Sequence, residues 1–496
     1  MLSSQLPALQ VVIPLVAAPI CVFFRNPRIA WLIALIASSL TFMVSIGLFL
    51  QVQQLGVISY EMGNWSPPWG IEYRVDNVNA YILLIVSSIG ALVTAYAYPS
   101  LKREIDTSRH YLFWTSYLLC LTGLLGVTIT GDAFNIFVFL EISSLSTYVL
   151  IALGKSRLAL YAAFRYLILG TIGATFIVIG IGLLYLMTGT LNLYDLASRL
   201  GDMDLAQPQL AALAFLTVGI SLKLALFPLH LWLPNAYAFA PSVATSFLAA
   251  TATKVAVYLL LRFAYDVFGK SQIFSELPLG EVLLVLSIVA MFVASTVAIY
   301  QDDVKRMFAY SSVAQIGYIT LGASFASQTA LTASIVHLFN HAITKGAIFL
   351  LLGIVAFQIG QPTFTKIKGL GKKMPWTSFG MVLCGLSLIG VPGTAGFISK
   401  WYLILAVLER GWWWLAAMIL ASSLLAILYI WRFVETAYFV TDAEDNTIEL
   451  GSKIPFSMAA VTVLFVLACL FFGFHTEFSV DSASEAARVL LEYTRQ

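Results

Sequence analysis

Charge is what this chain has least of. Only 10% of its 496 residues are Asp, Glu, Lys or Arg, and the 25 acidic and 27 basic side chains nearly cancel. Soluble domains carry about 25% charged residues. A net charge of +2 leaves no field that would draw in nucleic acid. Cysteine is scarce too. Cys21, Cys120, Cys384 and Cys469 fall in four separate apolar runs with no CxxC pair, which argues against a disulfide framework or a thiolate metal site. No cofactor motif is present. No basic segment precedes the first apolar run, so that run is expected to be a retained span rather than a cleaved signal.

What remains is apolar: 60% hydrophobic residues and a mean hydropathy of +0.90. One soluble core stops growing near roughly 250–300 residues, whereas a bilayer needs only repeated apolar stretches of about 20 residues. Fourteen such stretches can be marked: 7–24, 29–50, 77–99, 110–130, 133–153, 159–188, 209–228, 241–265, 279–299, 303–325, 328–358, 376–407, 411–440 and 455–474. The expected fold is therefore an all-α polytopic membrane protein of about 14 transmembrane helices. The runs at 328–358 and 376–407 exceed what a bilayer requires, so tilt or breaks are expected there.

Basic residues set orientation. One set of alternating loops holds Arg25, Arg28, Lys102, Arg103, Arg109, Lys155, Arg157, Lys305, Arg306, Lys366, Lys368, Lys372, Lys373 and Lys453. The other holds only Arg74, Arg199, Lys270, Arg410, Arg488 and Arg495. The first set is expected in the cytoplasm, with both termini on the opposite side of the plasma (inner) membrane. On that opposite face, Gly63-Asn64-Trp65-Ser66-Pro67-Pro68-Trp69-Gly70 reads as an interfacial turn or short hairpin with aromatic anchors.

Against this background a few ionisable groups stand out, each costing roughly 2.5–3.5 kcal/mol inside a bilayer. Glu141 is mid-span and, unpaired, would neutralise; a cation partner keeps it charged. Lys223 precedes Pro228, which disturbs a helix and frees carbonyls that must face protein or water. Lys400 follows Gly390-Val391-Pro392-Gly393, a second interruption. Two interrupted segments in separate halves, each with a lysine, are a pointer to a transport site. Lys254 is mid-span. His337, His341 and Lys345 recur every four residues and form one helical stripe, which suggests a proton relay; with no acidic or Cys ligand beside them, zinc is disfavoured. His230 is expected at the cytoplasmic mouth, as a proton inlet or a carbonyl cap. Arg165 is a further internal cation or a snorkelling one. Asp302, Asp303, Lys305 and Arg306 read as a solvated cluster, and Arg432 and Glu435, one turn apart, are placed to pair. A weak echo relates Ser143-Ser144 and Gly154 to Ser311-Ser312 and Gly322 at one common offset.

These segments resemble the antiporter-like family shared by Mrp-type multisubunit Na⁺/H⁺ antiporters, membrane-bound hydrogenases and the proton-pumping subunits of respiratory complex I. The resemblance rests on Phe139-Leu140-Glu141-Ile142-Ser143-Ser144, on Ser221-Leu222-Lys223 through Phe227-Pro228-Leu229-His230 to Pro234, and on Pro241-Ser242 through Thr253-Lys254-Val255. It extends through Val304-Lys305-Arg306 to Ser311-Ser312 and His337-Leu338-Phe339-Asn340-His341 to Lys345.

The family implies two inverted five-helix repeats with two discontinuous helices. The chain then divides into helices 1–3 (1–109), a first repeat (110–265), a second inverted repeat (279–440), and a last helix with tail (441–496). It implies a proton path through Glu141, Lys223, Lys254, His337, His341, Lys345 and Lys400. Many relatives have Lys where this chain has Arg165. The outer segment Gly63–Gly70 is similar to that of Mrp D subunits and their hydrogenase counterparts. The resemblance thus implies an ion-transporter subunit rather than an enzyme. Its partners would be other membrane subunits, protons, Na⁺ and the lipid bilayer, with no cofactor and no nucleic acid. A redox-driven pump subunit and a purely structural scaffold are the competing expectations.

Overall fold

The computed structural model describes residues 3–201, 203, 207–269, 277–440, 450–451 and 453–492. Lys270 and Arg495, counted above for orientation, lie outside them, as does 441–449 at the start of the last expected division.

Among the described residues the chain is helical apart from one hairpin. Its first helices are α1 (Leu6–Phe23), α2 (Pro27–Leu55) and α3 (Asn77–Glu104). Then come α4 (His110–Ile129), α5 (Ala133–Ala152), α6 (Arg157–Thr188), the short α7 (Leu193–Gly201), α8 (Gln207–Leu224), the short α9 (Leu233–Phe239) and α10 (Ser242–Leu261). The second half comprises α11 (Leu279–Ile299), α12 (Val304–Ala323), α13 (Gln328–Ile359), the one-turn α14 (Leu370–Lys373), α15 (Pro375–Ile389), α16 (Ala395–Glu409) and α17 (Trp413–Val434). α18 (Phe456–Phe474) and α19 (Glu477–Glu492) close the chain. Strands β1 (Ile58–Glu61) and β2 (Glu72–Val75) pair antiparallel, Ile58 opposite Val75, and so form the expected hairpin around the tryptophan-rich turn.

Among the described residues, eleven helices are long and apolar enough to cross a membrane. The other three stretches marked in the sequence are the polar α12 and the two broken pairs, α8/α9 and α15/α16. α13, expected to tilt or break, runs unbroken for 32 residues, about 48 Å at 1.5 Å per residue; that exceeds the roughly 30 Å hydrocarbon core.

The halves share one sequence of elements. α5 and α12 each have 20 residues and an aspartate cap, Asp132 Oδ1 accepting from Asn135 N–H at 2.7 Å and Asp303 Oδ1 from Arg306 N–H at 2.9 Å. Such caps satisfy amides that the first turn leaves free. Asp132 also bridges to Asn192 just after α6, and Asp303 to Thr363 just after α13; α6 and α13 both run 32 residues. A broken helix follows in each half, then a long helix ending in a π-turn, Arg262–Val267 after α10 and Glu435–Phe439 after α17. Four spans, α6, the broken α8/α9, α10 and α11, lie between α5 and α12, so the two cross in opposite directions, as an inverted repeat requires.

Burial identifies the centre. Within the most apolar window of each span, 94% of α10 with its π-turn and 83% of α13 is covered by protein, against 28% for α18. The central helices therefore carry the polar groups that lipid would not tolerate. All four cysteines are buried and free.

Several expectations are corrected. Lys305 is buried rather than solvated and donates to Ser242 Oγ at 2.8 Å, while Asp302 remains exposed. Arg432 does not turn to Glu435; it donates to Ile299 O and Gln301 O at 2.5 and 2.7 Å and lies over the Phe364 ring. Both tie the start of α12 to its neighbours. The tail after α18 forms the amphipathic α19, whose Ala483, Ala486, Ala487 and Leu490 pack inward. Asn77 Nδ2 at the start of α3 donates to Glu485 Oε1 there at 3.1 Å.

Candidate functional site

The first helix break positions Lys223. α8 stops at Leu224, and Ala225 takes a left-handed backbone (φ 61°). Leu226 N–H, which an unbroken helix would give to Leu222 O, goes to Ser221 O at 3.0 Å instead. Leu222 O keeps a long bond from Ala225 N–H at 3.3 Å, and the indole Nε1 of Trp232 adds a shorter one at 2.8 Å; a buried carbonyl needs such donors. Lys223 Nζ donates to Ser144 Oγ at 2.7 Å and lies 3.4 Å from Glu141 Oε1. Its side chain is 4% exposed and that of Glu141 is 23% exposed. The ammonium thus sits inside the bundle, with the carboxylate at the outer edge of α5.

The second break mirrors the first. Gly390 and Gly393 have φ of 90° and 84°, a region open to glycine. Pro392 has no N–H to offer Leu388 O. Lys400 Nζ donates there at 2.9 Å, and also to Ile389 O and Ser423 Oγ at 3.0 Å each. It lies 4.4 Å from the Tyr318 ring centroid, a cation–π contact. The broken helix itself therefore builds the lysine's seat. At Gly396 a Cβ would stand 1.8 Å from Ser387 O, so only glycine lets α16 approach α15 there.

Between the breaks lie α10 and α13, which pack on each other, and α10 also packs on α8. His337 bonds Ser399 Oγ through Nδ1 at 2.8 Å and Gln315 Oε1 through Nε2 at 2.9 Å. His341 stacks on it, ring centroids 6.2 Å apart and 11° from parallel, and both His341 nitrogens are buried without a partner. Leaving such groups unpaired costs about 1–3 kcal/mol each; a buried orphan of this kind calls for a functional reason or a bound water. Lys345 Nζ donates to Phe308 O at 2.8 Å and to Ser311 Oγ. Lys254 Nζ donates to Ala249 O and lies 3.5 Å from Thr253 Oγ1. Lys254 is within electrostatic reach of His341 and Lys345, and Lys400 within reach of His337.

Seven of the residues singled out from sequence thus come together along the bundle centre: Glu141 and Lys223 at one end, Lys254, Lys345, His341 and His337 between, Lys400 at the other. His230 is not at an open mouth. It is buried, its ring 5.2 Å from Phe227 and 6.1 Å from Tyr310, with Nδ1 unpartnered. Arg165 stays apart from the line, half-buried over the Tyr161 ring.

Sequence reasoning missed the groups that seat these side chains, Ser144, Ser311 and Ser423 for the lysines and Ser399 and Gln315 for His337. For two a signal existed: the repeated Ser-Ser pairs each supply a hydroxyl to a lysine. It also missed a buried cluster in which Arg262 holds Asp76 and Asp266, at 2.5 Å each.

Comparison with known proteins agrees with this architecture. Residues 130–426 match the family described as NADH:quinone oxidoreductase/Mrp antiporter, TM. The chain is 40% identical over 445 residues to the NADH-quinone oxidoreductase subunit N of Desulforudis audaxviator (strain MP104C), covering 88% of this chain and 87% of the relative. It is 30% identical over 438 residues, with the same coverage, to the D-type subunit of the Na(+)/H(+) antiporter of Alkalihalophilus pseudofirmus (strain ATCC BAA-2126 / JCM 17055 / OF4). Among solved structures, a chain of the membrane-bound sulfane sulfur reductase, an archaeal respiratory membrane complex, superposes with a TM-score of 0.89 at 30% identity over 99% of both chains. The matched region takes in both helix breaks and the whole buried line of Glu, Lys and His, and this chain belongs to the NADH:quinone oxidoreductase/Mrp antiporter transmembrane family.

Proposed function

We propose that this chain is the proton-translocating subunit of a multisubunit monovalent cation (Na⁺)/H⁺ antiporter, of the D type, in the plasma membrane. It would sit with its basic loops in the cytoplasm and both termini outside. The observation that carries this reading is the buried line from the Glu141–Lys223 pair to Lys400, its lysines and His337 seated by hydroxyls, carbonyls or an amide, and His341 buried with both ring nitrogens unpartnered. Protons enter from the cytoplasmic side past the buried His230 and pass among Lys223, Lys254, Lys345, His337 and Lys400. Residues 110–265 and 279–440 act as two inverted half-channels, with 1–109 and 441–496 flanking them. Other membrane subunits complete the assembly, and the partly exposed Glu141 edge of α5 suits contact with one of them.

A second reading is a proton-pumping subunit of a redox-driven complex. The 40% identity to a relative named NADH-quinone oxidoreductase subunit N favours it. Purifying the native complex and identifying its subunits separates the two: small hydrophobic antiporter subunits support the first, iron–sulfur subunits the second. For the shared core of both, Lys223→Ala is expected to abolish proton transport in membrane vesicles while the complex still assembles; a wild-type rate in that variant would remove the basis for the proposal.

A further inference from the structure

The stripe on α13 has a counterpart on α10. Lys254, Tyr258, Arg262 and Asp266 follow at four-residue spacing, so they share one face of α10 and its π-turn. All four are at most 5% exposed. They lead from the centre of the bundle to the face that bears the hairpin. Arg262 Nε donates to Tyr258 Oη at 3.1 Å, Nη1 to Asp266 Oδ2 at 2.5 Å and Nη2 to Asp76 Oδ1 at 2.5 Å. Asp76 in turn caps α3. Tyr258 Oη donates to Thr128 O at 2.9 Å.

One oxygen in this network is unused. Asp266 Oδ1 is buried with no hydrogen-bond partner. Asp266 lines a cavity of about 20 Å³ together with Arg74, Asp76, Asn79, Thr130 and Tyr258, room for about one water among several polar groups. A crevice of about 410 Å³ lies beside that cavity. The two share Arg74 and Asp76, and the crevice continues between α2, α3 and α19 past Gln53, Asn77, Glu485 and Arg488. Polar groups thus line both spaces, from Tyr258 to the hairpin face. The charged groups on the elements packed around Asp266 are Arg262 on its own turn, Asp76 and Arg74 ahead of α3, Asp195 and Arg199 on α7, and Glu485 and Arg488 on α19. Two carboxylates share Arg262, so the triad becomes neutral when it holds one proton, the form a dry site favours.

We propose that Asp266 is the proton-release group at the hairpin face, which rests on the reading of the chain as a proton-translocating subunit. In this structure Lys254 Nζ turns toward Ala249, away from Tyr258. When the side chain swings about one helical turn toward Tyr258, an N–H bond at Nζ breaks as Tyr258 Oη gains that proton and gives up its own to the cavity water, and an O–H bond at Asp266 Oδ1 forms from that water, Tyr258 and Asp266 both lining the cavity. The proton then passes to water in the crevice. No electrons move. Arg262 is a positioning residue that holds Oδ2 and leaves Oδ1 facing the cavity.

The test uses the assembled complex in membrane vesicles of known sidedness, with proton transport measured for Asp266→Asn, Asp266→Glu and, in parallel, Lys223→Ala. Asp266→Asn is expected to slow transport at least tenfold and to flatten the dependence of the rate on hairpin-side pH, leaving the dependence on the opposite side intact; Asp266→Glu restores part of both. A purely structural Asp266 would not change the one-sided pH profile. An Asp266→Asn complex with the wild-type rate and profile, beside an inactive Lys223→Ala, overturns the release role alone. A fully active Lys223→Ala overturns the translocation reading as well. Should Asp266→Asn fail to assemble, a hydrophobic carbodiimide is applied to the wild-type complex and mapped by mass spectrometry. Labelling of Asp266 that increases as hairpin-side pH falls supports the role, and no labelling at any working pH overturns it.

Discussion

Replacing Glu141 with Gln keeps the shape of the side chain and removes its charge. The structure sets the size of the effect. At the 3.4 Å separation of Lys223 Nζ and Glu141 Oε1, Coulomb attraction at an effective dielectric of about 20 amounts to about 5 kcal/mol. Partial exposure of the carboxylate screens part of that. If half survives, about 2.5 kcal/mol, the preference of the proton for Lys223 changes roughly 70-fold. A relay whose first lysine is shifted by that much no longer exchanges protons reversibly with Lys254. The hydrogen bond from Lys223 to Ser144 is untouched by the change, so folding and assembly should survive. Antiport read as relaxation of a fluorescent ΔpH signal in everted vesicles is expected to fall by at least an order of magnitude, with normal amounts of assembled complex in the membrane. Transport at the wild-type rate would refute the claim that the pair tunes the relay.

Three further outcomes follow from the geometry. His341→Phe removes two ring nitrogens that have no protein partner and keeps an aromatic ring, so thermal stability should hold or rise slightly while transport is lost; unimpaired transport would remove His341 from the path. Gly396→Ala forces a Cβ into Ser387 O, an overpacking worth about 1–3 kcal/mol; a lower melting temperature and impaired transport through Lys400 are expected, and an unchanged melting temperature would contradict the close approach of α15 and α16. On α19, outside the spans, the hydrogen bond from Arg488 holds the Glu485 carboxyl below its ordinary value of 4.5. A depressed carboxylate contributes stability that is present above the ordinary value and is lost as pH falls through the folded one. Hydrogen exchange of α19, corrected for intrinsic rates, should therefore quicken relative to the core as pH drops below about 4.5, and constant protection would show that the pair does not hold the helix.

Much of the site was legible because ionisable groups in apolar runs are rare and costly. Glu141, Lys223, Lys254, Lys345, His337, His341 and Lys400 stood out one by one, and Pro228 and Pro392 marked the helix breaks in advance. Lys305 was misread because a lysine at a span start looks the same whether it meets water or Ser242. Arg262 and Asp266 escaped notice because a charged pair at a span end ordinarily marks solvent. α19 escaped because its inward face is alanine, too weakly apolar to distinguish packing from a solvated tail.

Composition, span periodicity and the positions of the prolines thus determined the class, the number of spans and the list of intramembrane charges, since bilayer thickness and backbone hydrogen bonding act on local sequence alone. Which partner each charge meets was decided only by tertiary structure. Ser144 under Lys223, the Leu388 and Ile389 carbonyls under Lys400, and Asp76 across from Arg262 come from elements far apart in the chain or across a helix break, and only packing brings them within hydrogen-bond range.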